Sequence, residues 1–410
     1  MRRLSIGVSL APFLAVALGS VGACAQTPTT ESNVAKRVVG GKTVQSERDE
    51  QEALYNYYFR DQNLKYETKL ANLKTEASVA PWRIPYSAAI HPESSGGLSS
   101  GAGARGGIGR RRTGGGGGSS ALSVYDSAFN GGSRANAYEV RRIMGQDRAI
   151  FPGLRMRLNS ESWEGYCSGF TAATIRHPEP VNAVDAGRVG GTPGVVFQPP
   201  DIKALLTGIY NRTTDDSYLY LAPPSARDGG PNMGTFHLAL ANYIGQAGCP
   251  VGIDRTKGET SWNNPIYAYK VKSVSDAGSK GGLQYKNVTA TITYTAYGSD
   301  ASRQTDPNTG ARVGNAKQSM NLRYVLALDA DENIVGGRAL TSGGNFLWLP
   351  LFAVQGREDG SVPGNPYIDV RKVIALARAS ALPEVQKKFD QIVIGPAIDP
   401  SLTEGQDEDE

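Results

Sequence analysis

The hydrophobic period of this chain changes once, near residue 240, and that change limits the folds open to it. Before it, Pro199-Pro200-Asp201 opens a run in which Ile202, Leu205, Leu206 and Ile209 share one helical face. After it, residues 266–274, 288–297, 321–328 and 333–340 alternate apolar and polar, as half-buried strands do. Helices first and an antiparallel meander second predict an α+β fold, a helical half packed on an antiparallel sheet. Asp329-x-Asp331-x-Asn333 resembles the start of a calcium loop, but Ile334 stands where the sharp turn needs glycine, so a hairpin turn is expected.

The ends of the chain read differently from this body. Met1-Arg2-Arg3 followed by the apolar run from Leu4 to Val21 is an export signal covering residues 1–25. Ala23-Cys24-Ala25 fits a small-x-small cut that leaves a soluble protein starting at Gln26. Val21-Gly22-Ala23-Cys24 resembles a lipobox, which would attach the protein to a membrane through a lipid on Cys24. The lipobox is the favoured reading, and either cut predicts an exported protein: a periplasmic or outer-membrane lipoprotein, or a secreted one. Residues 26–136 are expected to form a polar tether, a helix over 46–77 and a flexible Gly/Ser/Arg-rich linker over 94–120, together a pro-segment or tether. The folded body is expected over residues 137–360, followed over 361–410 by a helix at 369–379 and an acidic tail from Glu404. A net charge of +4 over 410 residues implies neither nucleic acid nor an anionic surface as partner. Nothing in the sequence sets an oligomeric state.

Of three cysteines, Cys24 belongs to the signal, leaving Cys167 and Cys249. In an oxidising compartment one disulfide between them is an open alternative, although a chain of this length needs no staple. No CxxC or Cys/His cluster is present, so no metal ligand is assigned.

Cys167 carries the chemistry. It stands in Ser162-Trp163-Glu164-Gly165-Tyr166-Cys167-Ser168-Gly169-Phe170, where a glycine-bounded loop runs into a helix expected over 168–176 and stopped by Pro178. The first turn of a helix presents unpaired N–H groups and a partial positive charge, which favours a thiolate. Such a nucleophile needs a base, usually histidine, and a group that orients the imidazole. The chain has three histidines. His91 borders the Gly-rich stretch, where no rigid geometry is expected. His177 is ten residues beyond Cys167 on the same helix, about 15 Å away at the α-helical rise. His237, within the body, is therefore the expected base. Asp254, 17 residues further on, is the expected orienter if residues 251–254 form a strand beside it, with Asn263 or Asn264 as rivals. For the oxyanion hole the Cys167 backbone N–H is the first donor, with the Trp163 indole and the Asn159 amide as candidates for the second. Trp262 and Asn263 are further candidates for substrate or oxyanion contact.

The blocks around these residues resemble the transglutaminase elicitor family, typified by a secreted cell-wall transglutaminase of oomycete plant pathogens and present in bacteria. The cysteine block is similar to its nucleophile motif, and Val196-Phe197-Gln198-Pro199-Pro200-Asp201 to its next block. Phe236-His237-Leu238-Ala239-Leu240-Ala241-Asn242 resembles the histidine block. Ser261-Trp262-Asn263-Asn264-Pro265-Ile266-Tyr267 resembles the surface peptide that plants recognise, and Asn333-Ile334-Val335-Gly336-Gly337 with Asn345-Phe346-Leu347-Trp348 extends the likeness. The resemblance implies a papain-like or transglutaminase-like core and a Cys167–His237–Asp254 triad. It also implies acyl transfer from a protein glutamine to an amine, usually a lysine, with no required cofactor and calcium as a family-level option. An amidase, deamidase or papain-like protease on the same triad is the alternative, and a non-catalytic envelope binding protein the third reading.

Overall fold

The structure is a computed structural model that describes residues 38–39, 42–43, 47–59, 62–100, 119–145, 165–212, 214–224, 230–256, 260–314 and 316–391. The export signal, Cys24, most of the Gly-rich stretch, Asn159, Trp163 and the acidic tail lie outside these residues. In chain order the elements begin with the short pair β1 (Val38–Val39) and β2 (Lys42–Thr43), then α1 (Glu47–Tyr58), β3 (Glu76–Ser78), α2 (Ala121–Tyr125) and α3 (Ala135–Gly145). They continue with α4 (Cys167–Arg176), β4 (Val184–Asp185), β5 (Val196–Phe197), α5 (Pro199–Asn211), β6 (Tyr218–Ala222) and α6 (Met233–Ala239), which runs on as a π-helix over Leu240–Gln246. The meander follows: β7 (Val251–Asp254), β8 (Asn263–Lys280), β9 (Leu283–Thr295), β10 (Lys317–Leu328), β11 (Ile334–Ala339) and β12 (Phe346–Pro350). Helices α7 (Val370–Ser380) and α8 (Pro383–Asp390) close the described chain.

Local sequence accounts for several of these boundaries. Proline at the first turn of α5 and a reciprocal box between Gln198 and Asp201 fix its start. Asp369 caps α7 by accepting from the Arg371 N–H at 2.9 Å. The Asp329–Asn333 segment is a turn: Asp329 Oδ1 accepts from the backbone of Asp331 and Asn333, which spends the carboxylate on the hairpin. Among the described residues no three His, Cys, Asp or Glu side chains gather into a metal-binding cluster.

One antiparallel sheet of eight strands organises the molecule, in the order β11-β10-β9-β8-β7-β12-β6, with β3 pairing on β8 beside that path. Directly paired residues of antiparallel strands point to the same face, and neighbours along a strand to opposite faces. Phe346 pairs with Asp254, Asp254 with Asn263 and Trp348 with Gly252, so these five side-chain positions define one face. Leu347 and Ile253 define the other. The first face packs Phe346 and Trp348 with Leu205, Leu206 and Leu376 of α5 and α7. The second packs Leu347 and Ile253 with Phe236, Tyr243 and Tyr55 of the α1 and α6 layer. Strands β6 and β12 are buried almost throughout, so they lack the alternation that announces a strand in sequence.

Two expectations are corrected. The helix expected over 46–77 ends at Tyr58, and Glu76–Ser78 joins the sheet against Ala268–Lys270 instead. Tertiary packing overrides the leucine spacing here: Tyr55, Phe59 and Tyr66 cluster with Tyr243, and Leu73 packs into the same core. The folded body also starts well before residue 137. Tyr55 and Phe59 are fully buried, and Tyr86 and Ala88 pack beneath Phe170 of α4. Of the expected linker, Gly97 and Leu98 are buried and Ser120 caps α2, accepting from the Ser123 N–H. Cys167 and Cys249 are both buried and not joined to each other, so the disulfide alternative is not formed.

Candidate functional site

Cys167 is the first residue of α4, with Tyr166 at the cap. Its thiol is buried, and Sγ lies 3.4 Å from the Ser261 carbonyl oxygen and 3.7 Å from Asn263 Nδ2. The helix is held in place from three sides. The Tyr166 N–H donates to the Ile90 carbonyl at 2.6 Å, Ser168 Oγ donates to Asn211 Oδ1 at 3.1 Å, and Phe170 packs on Tyr86 and Tyr297. Gly169 lets α4 approach α5 closely, since a Cβ there would stand 2.0 Å from the Thr207 carbonyl oxygen.

Asn263 opens β8 directly under the thiol. Its Oδ1 accepts from the Trp348 indole at 2.9 Å, its Nδ2 donates to Ser261 Oγ at 3.0 Å, and its carbonyl accepts from the Tyr297 hydroxyl at 2.9 Å. Trp262 is half-buried, with its ring 5.7 Å from that of Tyr297. Asp254 sits opposite Asn263 in the register and is buried, on the face the thiol meets. Its carboxylate accepts from the Trp262 N–H at 2.9 Å, Thr256 Oγ1 at 3.0 Å and Asn345 Nδ2 at 3.2 Å. It closes the loop between β7 and β8, and these bonds do not include a histidine.

His237 is not brought to Cys167. It lies on α6, where its Nδ1 is 2.7 Å from the hydroxyl of Tyr324. Tyr324 belongs to the core on the second face, with Leu347 and Ile253, so the full sheet separates His237 from the thiol. Burial pushes its imidazole down to about 4, which keeps it neutral. The expected Cys167–His237–Asp254 triad is therefore not assembled. The helical spacing places His237 on an apolar face, and only the register says which side of the sheet that face covers. His177 is likewise satisfied elsewhere, 2.8 Å from the Tyr210 hydroxyl, with burial foremost and Arg176 next pushing it down to about 3.

The third histidine, set aside in sequence for its neighbourhood, lies beside the N-terminal end of the thiol's helix. His91 follows Ile90, whose carbonyl holds Tyr166, and its ring meets that of Tyr166 edge-on at 6.4 Å. Its Nε2 lies 2.9 Å from Asp300 Oδ2, and Asp300 Oδ1 accepts from the Ala89 N–H at 2.8 Å. The His91 backbone is left-handed, with φ of 44°, a conformation uncommon outside glycine and held here by its surroundings. No sequence signal marks this pair, because 209 positions separate its members.

The architecture is α+β, with helices on both faces of one large antiparallel sheet. The crystal structure of the GP42 transglutaminase from Phytophthora sojae has this fold, with a TM-score of 0.56 and 19% sequence identity over 81% of this chain and 98% of that one. The family described as Transglutaminase elicitor matches residues 211–379, a segment that holds His237, Asp254, Asn263 and Trp348 and begins after Cys167. The chain is thus similar to the transglutaminase elicitor family over residues 211–379 and shares the fold of the GP42 transglutaminase. No curated protein matches it.

Proposed function

We propose that this protein is an exported cysteine-dependent protein-glutamine γ-glutamyltransferase. The observation that carries the reading is the position of Cys167 at the first residue of α4, against a polar corner of the sheet, in a chain matching that family. The helix start favours the thiolate. Its sulfur attacks the glutamine carboxamide carbon, a C–S bond forms and the carbonyl electron pair moves onto oxygen. Collapse breaks the C–N bond, and ammonia leaves with the proton that came from the thiol. A primary amine, such as a lysine side chain, then attacks the thioester carbon; the new C–N bond forms, the C–S bond breaks, and the proton lost by the amine passes to the departing sulfur. A helix carrying the nucleophile against an antiparallel sheet is the papain-like arrangement this chemistry uses. His91, held by Asp300, is the proton acceptor in place of His237. In the resting geometry Sγ donates to the Ser261 carbonyl oxygen, a bond the thiol gives up on losing its proton; catalytic contacts commonly tighten only with substrate bound.

The test is incubation of the mature protein with a glutamine-bearing protein and a labelled primary amine. Incorporation abolished by Cys167→Ala is the expected result. Ammonia release or peptide cleavage without incorporation would reassign the thiol to an amidase or protease. No thiol-dependent product would remove the enzymatic reading.

A further inference from the structure

We propose that the Asn263 side-chain amide donates a hydrogen bond to the Cys167 sulfur and to the oxyanion formed on the acyl carbon, with Trp348 as the residue that positions it. The inference rests on the reading of Cys167 as the nucleophile. An amide presents oxygen and nitrogen ends of nearly equal shape, and its hydrogen bonds decide which end faces where. The Trp348 indole is a donor only, so the atom it meets at 2.9 Å is the amide oxygen. That leaves Nδ2 turned toward Sγ at 3.7 Å, with Ser261 Oγ as its acceptor at 3.0 Å. Asn263 and Trp348 are 3% and 2% exposed, so a flipped amide would set a buried oxygen against the sulfur and leave the indole without an acceptor.

The positioning residue is itself fixed. A Cβ on Gly252 would stand 2.5 Å from Trp348 Nε1, so the indole lies in space that only glycine leaves open. On attack, the amide and the Cys167 backbone N–H provide two donors at one corner, the usual number for an oxyanion hole. Asp254 faces this corner from β7, and Tyr297 donates to the Asn263 carbonyl. Beyond Tyr166 lie His91 and Asp300, and the Tyr166 hydroxyl meets Glu139 and Arg142.

Two readouts on the full mature protein test this. The first is iodoacetamide alkylation of Cys167 against pH, followed on its peptide by mass spectrometry. Asn263→Asp, which replaces a donor with a like charge, is expected to raise the inflection by about one unit or more. The second is amine incorporation. Asn263→Ala is expected to lower kcat by about 10²–10³-fold with KM for the glutamine protein within about threefold. Trp348→Phe keeps the ring and removes the N–H, and is expected to lower kcat about tenfold while the melting transition stays cooperative. An unshifted alkylation profile in Asn263→Asp, or undiminished kcat in folded Trp348→Phe, overturns the proposal. If Asn263→Asp does not fold, Trp348→Phe decides, read by alkylation as well as turnover. Wild-type protein that incorporates no amine, yet shows the alkylation shift, defeats the transglutaminase reading and leaves the donor role standing.

Discussion

Cys167 and His237 lie on opposite faces of one antiparallel sheet. The thiol meets Asn263 on the face of Trp348, whereas the imidazole bonds to Tyr324 in the core shared by Leu347 and Ile253. No change of rotamer crosses a sheet covered on both sides, so the two residues act independently.

Substitutions at the histidines should therefore separate. His91→Ala is expected to lower kcat for amine incorporation about 10²–10⁴-fold, and Asp300→Asn to lower it less. His237→Gln should leave amine incorporation by the folded protein unchanged while reducing stability by about 1–3 kcal/mol through the buried Tyr324 hydroxyl. Steady-state kinetics with urea melts on each variant check both halves.

Acid stability should track the buried imidazoles. His237 titrates near 4 in the fold, against an ordinary value of 6.5, because burial disfavours its charged form. Above 6.5 the ring is neutral in both states, and its full contribution is present. Between 6.5 and about 4 the unfolded chain takes up the proton and the fold does not, so stability falls with pH. His177, down to about 3, extends the loss further into acid. The expected loss from His237 is about 3 kcal/mol by pH 4. Urea midpoints measured from pH 7.5 to 4 should fall, and His237→Gln should flatten the slope over that range.

The segment before residue 100 should be indispensable for folding. Tyr55 is fully buried among Phe59, Tyr66 and Tyr243, and β3 completes hydrogen bonds on β8. Tyr55→Ala is expected to cost about 3–5 kcal/mol in a denaturant titration. Removal of residues 47–100 should abolish the cooperative transition. A deletion protein that melts like the parent would restore the idea of a separable pro-segment.

Close packing of α4 on α5 makes Gly169 intolerant of a side chain. Gly169→Ala would place a carbon 2.0 Å from the Thr207 carbonyl oxygen, so the helices must part. The expected cost is at least about 1–3 kcal/mol, against the gain that alanine normally brings to a helix interior. Thermal melts check the sign, and displacement of α4 should slow Cys167 alkylation or make it less pH-dependent.

The elements legible in the sequence are those whose signals are local. Pro199 and the Gln198–Asp201 box mark α5, Asp369 marks α7, and alternation marks β8 to β11. The start of α4 was equally legible, since a glycine-bounded loop running into a helix depends only on neighbours in the chain. The strands β6 and β12 were not, because a strand buried on both faces shows no period. The site's partners needed the tertiary structure for a different reason. Ile90 reaches Tyr166, Asp300 reaches His91 and Trp348 reaches Asn263 across long stretches of chain. Which face His237 occupies turns on strand register, where a shift of one residue reverses every side chain. The sequence by itself determined an α+β chain with Cys167 at a helix start; register and long-range packing decided that Asn263 stands beside the thiol and that His237 does not.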